Sequence, residues 1–329
     1  MKILYGIQQT GNGHVTRSIK MINSLRSKGI IVDVITSGHN SQISLPFPVK
    51  DSFKGLTLRY TKNGNVDWLS TCLKSNIPKL IADAFYDISE YDLVISDFEP
   101  ISAWAAKISG KPCIGLGNQY SIQHKKIPKA ESDNISDFFL KNFAPCDLPI
   151  GIHYEEVDNA IFQPIIAEEF IDKKIKNKNF YLVYLPNIKD DILINIISKF
   201  KDCKFKIYTK SVNDNLSLKN VVFKKIDRES FTKDMLNCSG IITASGFSTT
   251  SEALYLRKKL WSIPIKKHYE QLSNSLSLRK IGVYSEDFTK ENLKEWLSIS
   301  DDIKYDWEDP TEKIIQKIID FHESEKNKN

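Results

Sequence analysis

Short apolar runs rich in Val, Ile and Leu alternate along most of the chain with stretches whose apolar residues recur at helical spacing. That alternation constrains the fold more than any other feature, because strands separated by helices pair most readily in parallel, with the helices covering both faces of the sheet. The first series reads KILYGI, IVDVIT, DLVISD and PCIGLG, with helical stretches around residues 15 to 28, 76 to 88 and 100 to 109. The second reads NFYLVYLP, KFKIYT, VVFKKI and GIITAS, followed by the helical SEALYLRK. Between them AEEFIDKKIKNKN, residues 167–179, is polar and charged and predicts a linker. At 329 residues the chain is too long for one ordinary domain. The expectation is an α/β protein of two Rossmann-like domains, residues 1–166 and 180–308, with a helix begun by Pro310 and a polar tail over 309–329 that returns to the first domain.

Composition narrows the partners. The formal charge is +5, but 41 acidic residues stand against 46 basic ones and no long basic block occurs. This does not suggest a dedicated nucleic-acid binder, and it favours an anionic small molecule or a membrane surface. Cys72, Cys113, Cys146, Cys203 and Cys238 are widely spaced and form no CxxC pair with His partners, so neither a zinc site nor a redox motif is expected and a reducing cytoplasm fits. No basic and apolar leader precedes the first strand and no apolar run reaches bilayer length, which predicts a cytoplasmic protein whose membrane contact, if any, is peripheral.

Three loops carry chemistry. After the first strand comes GNGHVTRS, where Gly11 and Gly13 permit a tight turn and close approach of a ligand, and His14 opens a helix with a positive dipole end. The spacing is neither GxGxxG nor a P-loop. In DLVISDFEP, Asp97 and Glu99 fall at the carboxyl end of another central strand. Strand carboxyl ends share one edge of an open parallel sheet, so His14 and Asp97 can converge, and a carboxylate beside an imidazole orients it as a general base. A cap on the helix that Pro100 begins is the alternative use of either acid. In GIITASGFSTTSEAL, the residues Ser245, Gly246, Phe247, Ser248 and Thr249 offer hydroxyls and free N–H groups at a helix start, a cradle suited to a diphosphate, and Glu252 lies one turn inside, where it could accept from ribose hydroxyls. Downstream, Gln271 and Asn274 in HYEQLSN are spaced to share a helix face towards sugar hydroxyls, with His268 and Glu270 before them in the turn, where a solvated helix start is the ordinary reading.

Together these segments, with FKGLTLRYTKNG and GLGNQYS, resemble the GT-B glycosyltransferases over nearly the whole chain. The similarity is to MurG and the UDP-glucuronosyl and UDP-glucosyl transferases, and to a bacterial and archaeal group of predicted transferases related to them. The resemblance implies parallel sheets facing across a cleft, the acceptor on the first domain and the nucleotide sugar mainly on the second. It implies that His14 is the glycine-loop histidine, Glu252 the ribose-binding acid and Gln271 the contact to the donor sugar, with Asn274 beside it. Gly11, Asn12, Gly13, Arg17, Glu99, Asn118 and Gln119 fall on the acceptor side. Where plant-type members have His-Cys-Gly this chain has Ala244, Ser245 and Gly246, and it lacks the arginine that MurG has nearby, so hydroxyls and backbone alone would hold the diphosphate. Retaining families often carry a second glutamate where Ala244 stands, which points to inversion.

The expected activity is an inverting, metal-independent transfer from a nucleotide diphosphate sugar, by family weight a UDP-sugar, to an acceptor hydroxyl, with no cofactor and a role in cell-envelope or glycoconjugate synthesis. A UDP-sugar 2-epimerase and a non-catalytic nucleotide-sugar binder remain the alternatives. The acceptor (glycan, lipid-linked or small molecule) is not readable. Trp68, Leu69, Leu73, Ile77, Phe138, Phe139 and Phe143, with Lys125, Lys126 and Lys129, could form an apolar and basic lip for a membrane acceptor, but core-facing helix sides and solvated lysines explain them more simply.

Overall fold

The computed structural model describes residues 1–38, 41, 43–56, 76–131, 134–300, 303 and 305–328. Residues 57–75, which hold most of FKGLTLRYTKNG as well as Trp68, Leu69 and Leu73, lie outside the described residues. Two compact units emerge, Met1–Ile165 with Glu308–Asn329, and Ile166–Trp307.

The first unit is built on seven strands: β1 (Lys2–Gln8), β2 (Ile31–Ser37), β3 (Asp51–Phe53), β4 (Leu93–Asp97), β5 (Cys113–Gly117), β6 (Leu148–Ile152) and β7 (Ile161–Phe162). They lie in the order β3-β2-β1-β4-β5-β6-β7 and every pair is parallel. Every residue of β4 and β5 is buried, which is why these strands read as unbroken apolar runs instead of alternating ones. The chain runs outward from β1 to β3, then returns to lay β4 on the other side of β1, so the order reverses between them. Ile7 pairs with Asp97 across that reversal. Gly6 on β1 admits the helix Pro100–Ser109 at close range, since a Cβ there would stand 2.1 Å from the Ser102 hydroxyl.

The second unit has β8 (Tyr181–Tyr184), β9 (Phe205–Thr209), β10 (Leu216–Leu218), β11 (Val221–Lys225), β12 (Gly240–Ala244) and β13 (Lys259–Ile263). Their order is β10-β11-β9-β8-β12-β13, parallel except for the β10–β11 pair, and here the reversal falls between β8 and β12. Trp261 and Trp296 are wholly buried in its core with Leu293 and Ile242.

Two boundaries differ from the sequence expectation. Residues 167–179, expected as a linker, fall within the second unit: Phe170 is buried, and the buried Lys258 ammonium donates to Lys176 O (2.9 Å), Leu236 O (3.1 Å) and Cys238 O (2.7 Å), fastening this segment there. The helix expected over 76 to 88 spans Ile77–Asp83, capped by the Asn76 side chain and closed by turns. The helix Thr311–Lys326 packs Ile314, Ile315 and Ile318 into the first unit, and Asp309 before it pairs with Lys20 at 2.5 Å. Among the described residues no helix is long and apolar enough to cross a membrane.

Candidate functional site

The order reversals mark where ligand-binding crevices form in open parallel sheets, at the carboxyl ends of the flanking strands. In the first unit those ends deliver Asp97 and the loop that precedes the helix Asn12–Ser27. His14, Arg17 and Ser18 lie three and four residues apart on that helix, hence on one face. All reach Asp97. His14 Nδ1 is 2.6 Å from Oδ1, Arg17 Nε donates to Oδ2 at 2.7 Å, its Nη2 donates to Oδ1, and the Ser18 hydroxyl donates to Oδ2 at 2.9 Å. The Asp97 side chain is 0% exposed, Arg17 6% and His14 12%. Burial alone would push the Asp97 carboxyl up; the Arg17 guanidinium and His14 beside it outweigh that and hold it below the usual carboxylate range.

Arg17 Nη2 also stands 2.7 Å from His14 Nδ1. A guanidinium only donates and a carboxylate only accepts, so one tautomer cannot serve both contacts. With the proton on Nδ1 the ring donates to Asp97, and Nε2, which has no hydrogen-bond partner among the described residues, becomes the basic nitrogen. Phe98 follows in the left-handed region, φ 51°, unusual for a bulky residue, and turns the chain from Asp97 to Glu99.

The residues expected on the acceptor side are held as follows. Arg17 is buried and holds Asp97 through Nε and Nη2. Glu99 is fully buried and caps the helix Pro100–Ser109, accepting from the N–H groups of Ile101 and Ser102 at 2.7 Å each. Asn118 is buried, its amide donating to Ile152 O (3.2 Å) and Ser121 Oγ (3.3 Å), and Gln119 is buried beside it. Gly117 ahead of them has φ 155°, and a Cβ there would crowd Arg17 Nη2 at 3.1 Å. Gly11 and Asn12 do border the helix start, where Gly11 is extended rather than left-handed and a Cβ would meet nothing within 4 Å; Asn12 accepts from Ser41 Oγ at 3.3 Å. Gly13 lies within the helix, half-buried.

In the second unit, β12 leads through Ser245 and Gly246 into the helix Phe247–Tyr255, whose N-terminus has no side-chain cap. A Cβ on Gly246 would meet nothing within 4 Å, so there is space in front of this helix start, where backbone N–H groups and the positive end of the helix dipole gather. Ser248 and Thr249 are half-buried at this mouth. The Ser245 hydroxyl is buried against Ser262 Oγ at 2.7 Å, and the Ser245 carbonyl accepts from Asn274 Nδ2 at 3.1 Å. Asn274 is thus buried and braces this loop through Nδ2, while its Oδ1 has no hydrogen-bond partner. Phe247 is buried likewise. Gln271 is half-buried on the helix Tyr269–Lys280, and its Oε1 accepts from the Ile265 N–H at 3.0 Å, leaving the amide N–H₂ for other partners.

Glu252 is 4% exposed. Arg228 Nη2 is 3.2 Å from its Oε1, while Oε2 is buried without a partner. Burial pushes its pKa up, and Arg228 only partly offsets this. The sequence reading missed Arg228 and its second partner Glu169. One signal was there: a cation at the first position of a helix opposes the helix dipole and asks for a reason. Among the described residues no group of His, Cys, Asp and Glu is placed to hold a metal ion.

The model of one protein family, described as Glycosyl transferase family 1, matches residues 1–299. No curated protein matches the chain. Among solved structures, the glycotransferase of kitacinnamycin is 11% identical with a TM-score of 0.58, covering 90% of this chain and 89% of that one. The glycosyltransferase VinC, in complex with dTDP, is 12% identical with a TM-score of 0.53 over 98% of this chain and 95% of that one. Arabidopsis thaliana UGT89C1, complexed with UDP-L-rhamnose, is 11% identical with a TM-score of 0.57 over 90% and 89%. At these identities the likeness is one of fold.

Proposed function

The chain belongs to glycosyl transferase family 1 and has the GT-B fold of a sugar-transferring enzyme, and from that premise we propose an inverting, metal-independent transfer from a nucleotide diphosphate sugar, a UDP-sugar first, to an acceptor hydroxyl. His14 Nε2 takes the acceptor proton while the acceptor oxygen attacks the anomeric carbon and the bond to the diphosphate breaks. Asp97 holds the ring through Nδ1 and stabilises the imidazolium that forms. The helix start at Gly246, Ser248 and Thr249 takes the charge of the leaving diphosphate. Glu252 accepts from the ribose hydroxyls through Oε2, and the Gln271 amide donates to the donor sugar. No cofactor and no metal enters this scheme.

The observation that most supports the reading is the buried carboxylate gripping the ring of His14 at a strand-order reversal. The test is a thermal-shift panel of UDP, dTDP, GDP and CMP on the native chain and on Glu252→Ala. A nucleotide at about a hundred times its dissociation constant stabilises the folded protein by roughly 2.7 kcal/mol. A shift with one diphosphate that Glu252→Ala abolishes supports the donor site; no shift with any of them overturns it. Transfer that persists in EDTA supports metal independence, and conversion of a sugar nucleotide without acceptor would make the protein an epimerase.

A further inference from the structure

Glu252 occupies a costly place for a charge. Its carboxylate is nearly enclosed, Oε2 lacks a partner, and its own helix Phe247–Tyr255 carries no second charged residue. The charged groups that bear on it are Arg228, from the helix Arg228–Asn237, and Glu169, from the segment after the unit boundary. Arg228 is shared. Its Nε donates to Glu169 Oε1 at 2.8 Å, its Nη2 lies 2.6 Å from the same oxygen and 3.2 Å from Glu252 Oε1, and its guanidinium lies 5.3 Å from the centre of the Phe170 ring. An arginine that merely fastened residues 169 and 170 to the helix would be complete with Glu169 and Phe170. Its reach to a buried carboxylate with a vacant oxygen is additional.

We propose that Arg228 is a positioning residue of the donor site: it keeps Glu252 ionised and oriented so that Oε2 can accept from the vicinal hydroxyls of a nucleotide ribose, and Glu169 limits how much of that cation Glu252 receives. The inference rests on the reading of Glu252 as the ribose-binding acid. A charged carboxylate is the stronger acceptor, so donor affinity falls as Glu252 takes up a proton. Removing Arg228 makes the carboxylate harder to ionise and moves that fall to higher pH. Removing the charge of Glu169 eliminates a repulsion and frees Arg228 for Glu252, moving the fall to lower pH. A purely structural latch predicts no such opposition, because either substitution breaks the same tie.

The test is calorimetric UDP binding by the full chain from about pH 5 to about pH 9, a span that brackets a raised carboxyl, for the native protein, Arg228→Gln, Arg228→Lys, Glu169→Gln and Glu252→Gln. The terminal phosphate of UDP titrates alike in all five and cancels in the comparison. Near neutral pH, Arg228→Gln is expected to bind about ten- to a hundredfold more weakly, with the midpoint raised by about one pH unit or more. Arg228→Lys recovers part of the loss, returning the charge without the fork. Glu169→Gln keeps or tightens binding with a lowered midpoint, and Glu252→Gln loses the step. Midpoints that move in the same direction for Arg228→Gln and Glu169→Gln, or do not move while UDP still binds, overturn the inference and leave the donor reading standing. A native protein that binds neither UDP nor dTDP removes both.

Discussion

Asp97 satisfies four donor groups with two oxygens while sealed from water: His14 Nδ1, two nitrogens of Arg17 and the Ser18 hydroxyl. Asp97→Asn would leave Arg17 buried opposite a neutral amide, and breaking a buried pair in this way costs about 3–5 kcal/mol, readable as a lowered urea midpoint. Because the folded-state pKa of Asp97 is depressed, its contribution is fully present above the unfolded carboxyl value and is lost as pH falls through the lower folded one, so it adds to acid unfolding below about pH 4. Glu252 has the opposite sign. Its folded pKa is raised, so stability drains as pH rises from the unfolded value through the folded one. Glu252→Gln is accordingly expected to stabilise the unliganded protein by roughly 0.5–2 kcal/mol at neutral pH while abolishing the nucleotide-induced thermal shift, a gain bought at the expense of the site. His14→Ala should lower kcat by about two to four orders of magnitude and leave that shift intact; near-native transfer would remove His14 from the chemistry.

Among the elements, the approach of the helix Pro100–Ser109 to β1 depends on one missing methyl group. Gly6→Ala would place a Cβ 2.1 Å from Ser102 Oγ and 2.6 Å from Glu99 Oε2, atoms of the cap itself. Overpacking of this kind costs about 1–3 kcal/mol, and an unchanged denaturation midpoint would contradict the geometry. The same scale shows what sequence can reveal. β4 and β5 are legible because strands buried on both faces leave continuous apolar runs, and Asp97 can be placed near His14 because parallel strands end on a common edge. The direction of Arg17 is not legible: three residues beyond His14 it reads equally well as a ligand contact or as a clamp, and the carboxylate that decides lies 80 residues away. Arg228 and Glu252 likewise sit 24 residues apart on different helices, with no local pattern linking them. Glu99 stands directly before Pro100, the position of a helix cap, and burial settles that choice. That Asn274 donates to the Ser245 carbonyl, 29 residues away, is likewise not legible, because no local pattern joins the two.

At the scale of the whole molecule, the two units have separate sheets and separate cores, so unfolding need not be all-or-none. Scanning calorimetry is expected to resolve two transitions, of which nucleotide raises the one belonging to Ile166–Trp307. Truncation before Glu308 uncovers the surface that Ile314, Ile315 and Ile318 bury, a loss on the order of 5 kcal/mol. It should lower the other transition and spare the nucleotide-linked one; the reverse pattern would contradict the assignment of this helix. The same helix has a consequence for synthesis. Ribosomes deliver residues in order, so the unit whose residues are made in a single stretch is complete before the one that was begun first. Until residues 308 to 328 emerge, the histidine half of the protein waits with an uncovered apolar surface, and a nascent chain stalled before they emerge should be a better client for chaperones than one stalled after they have.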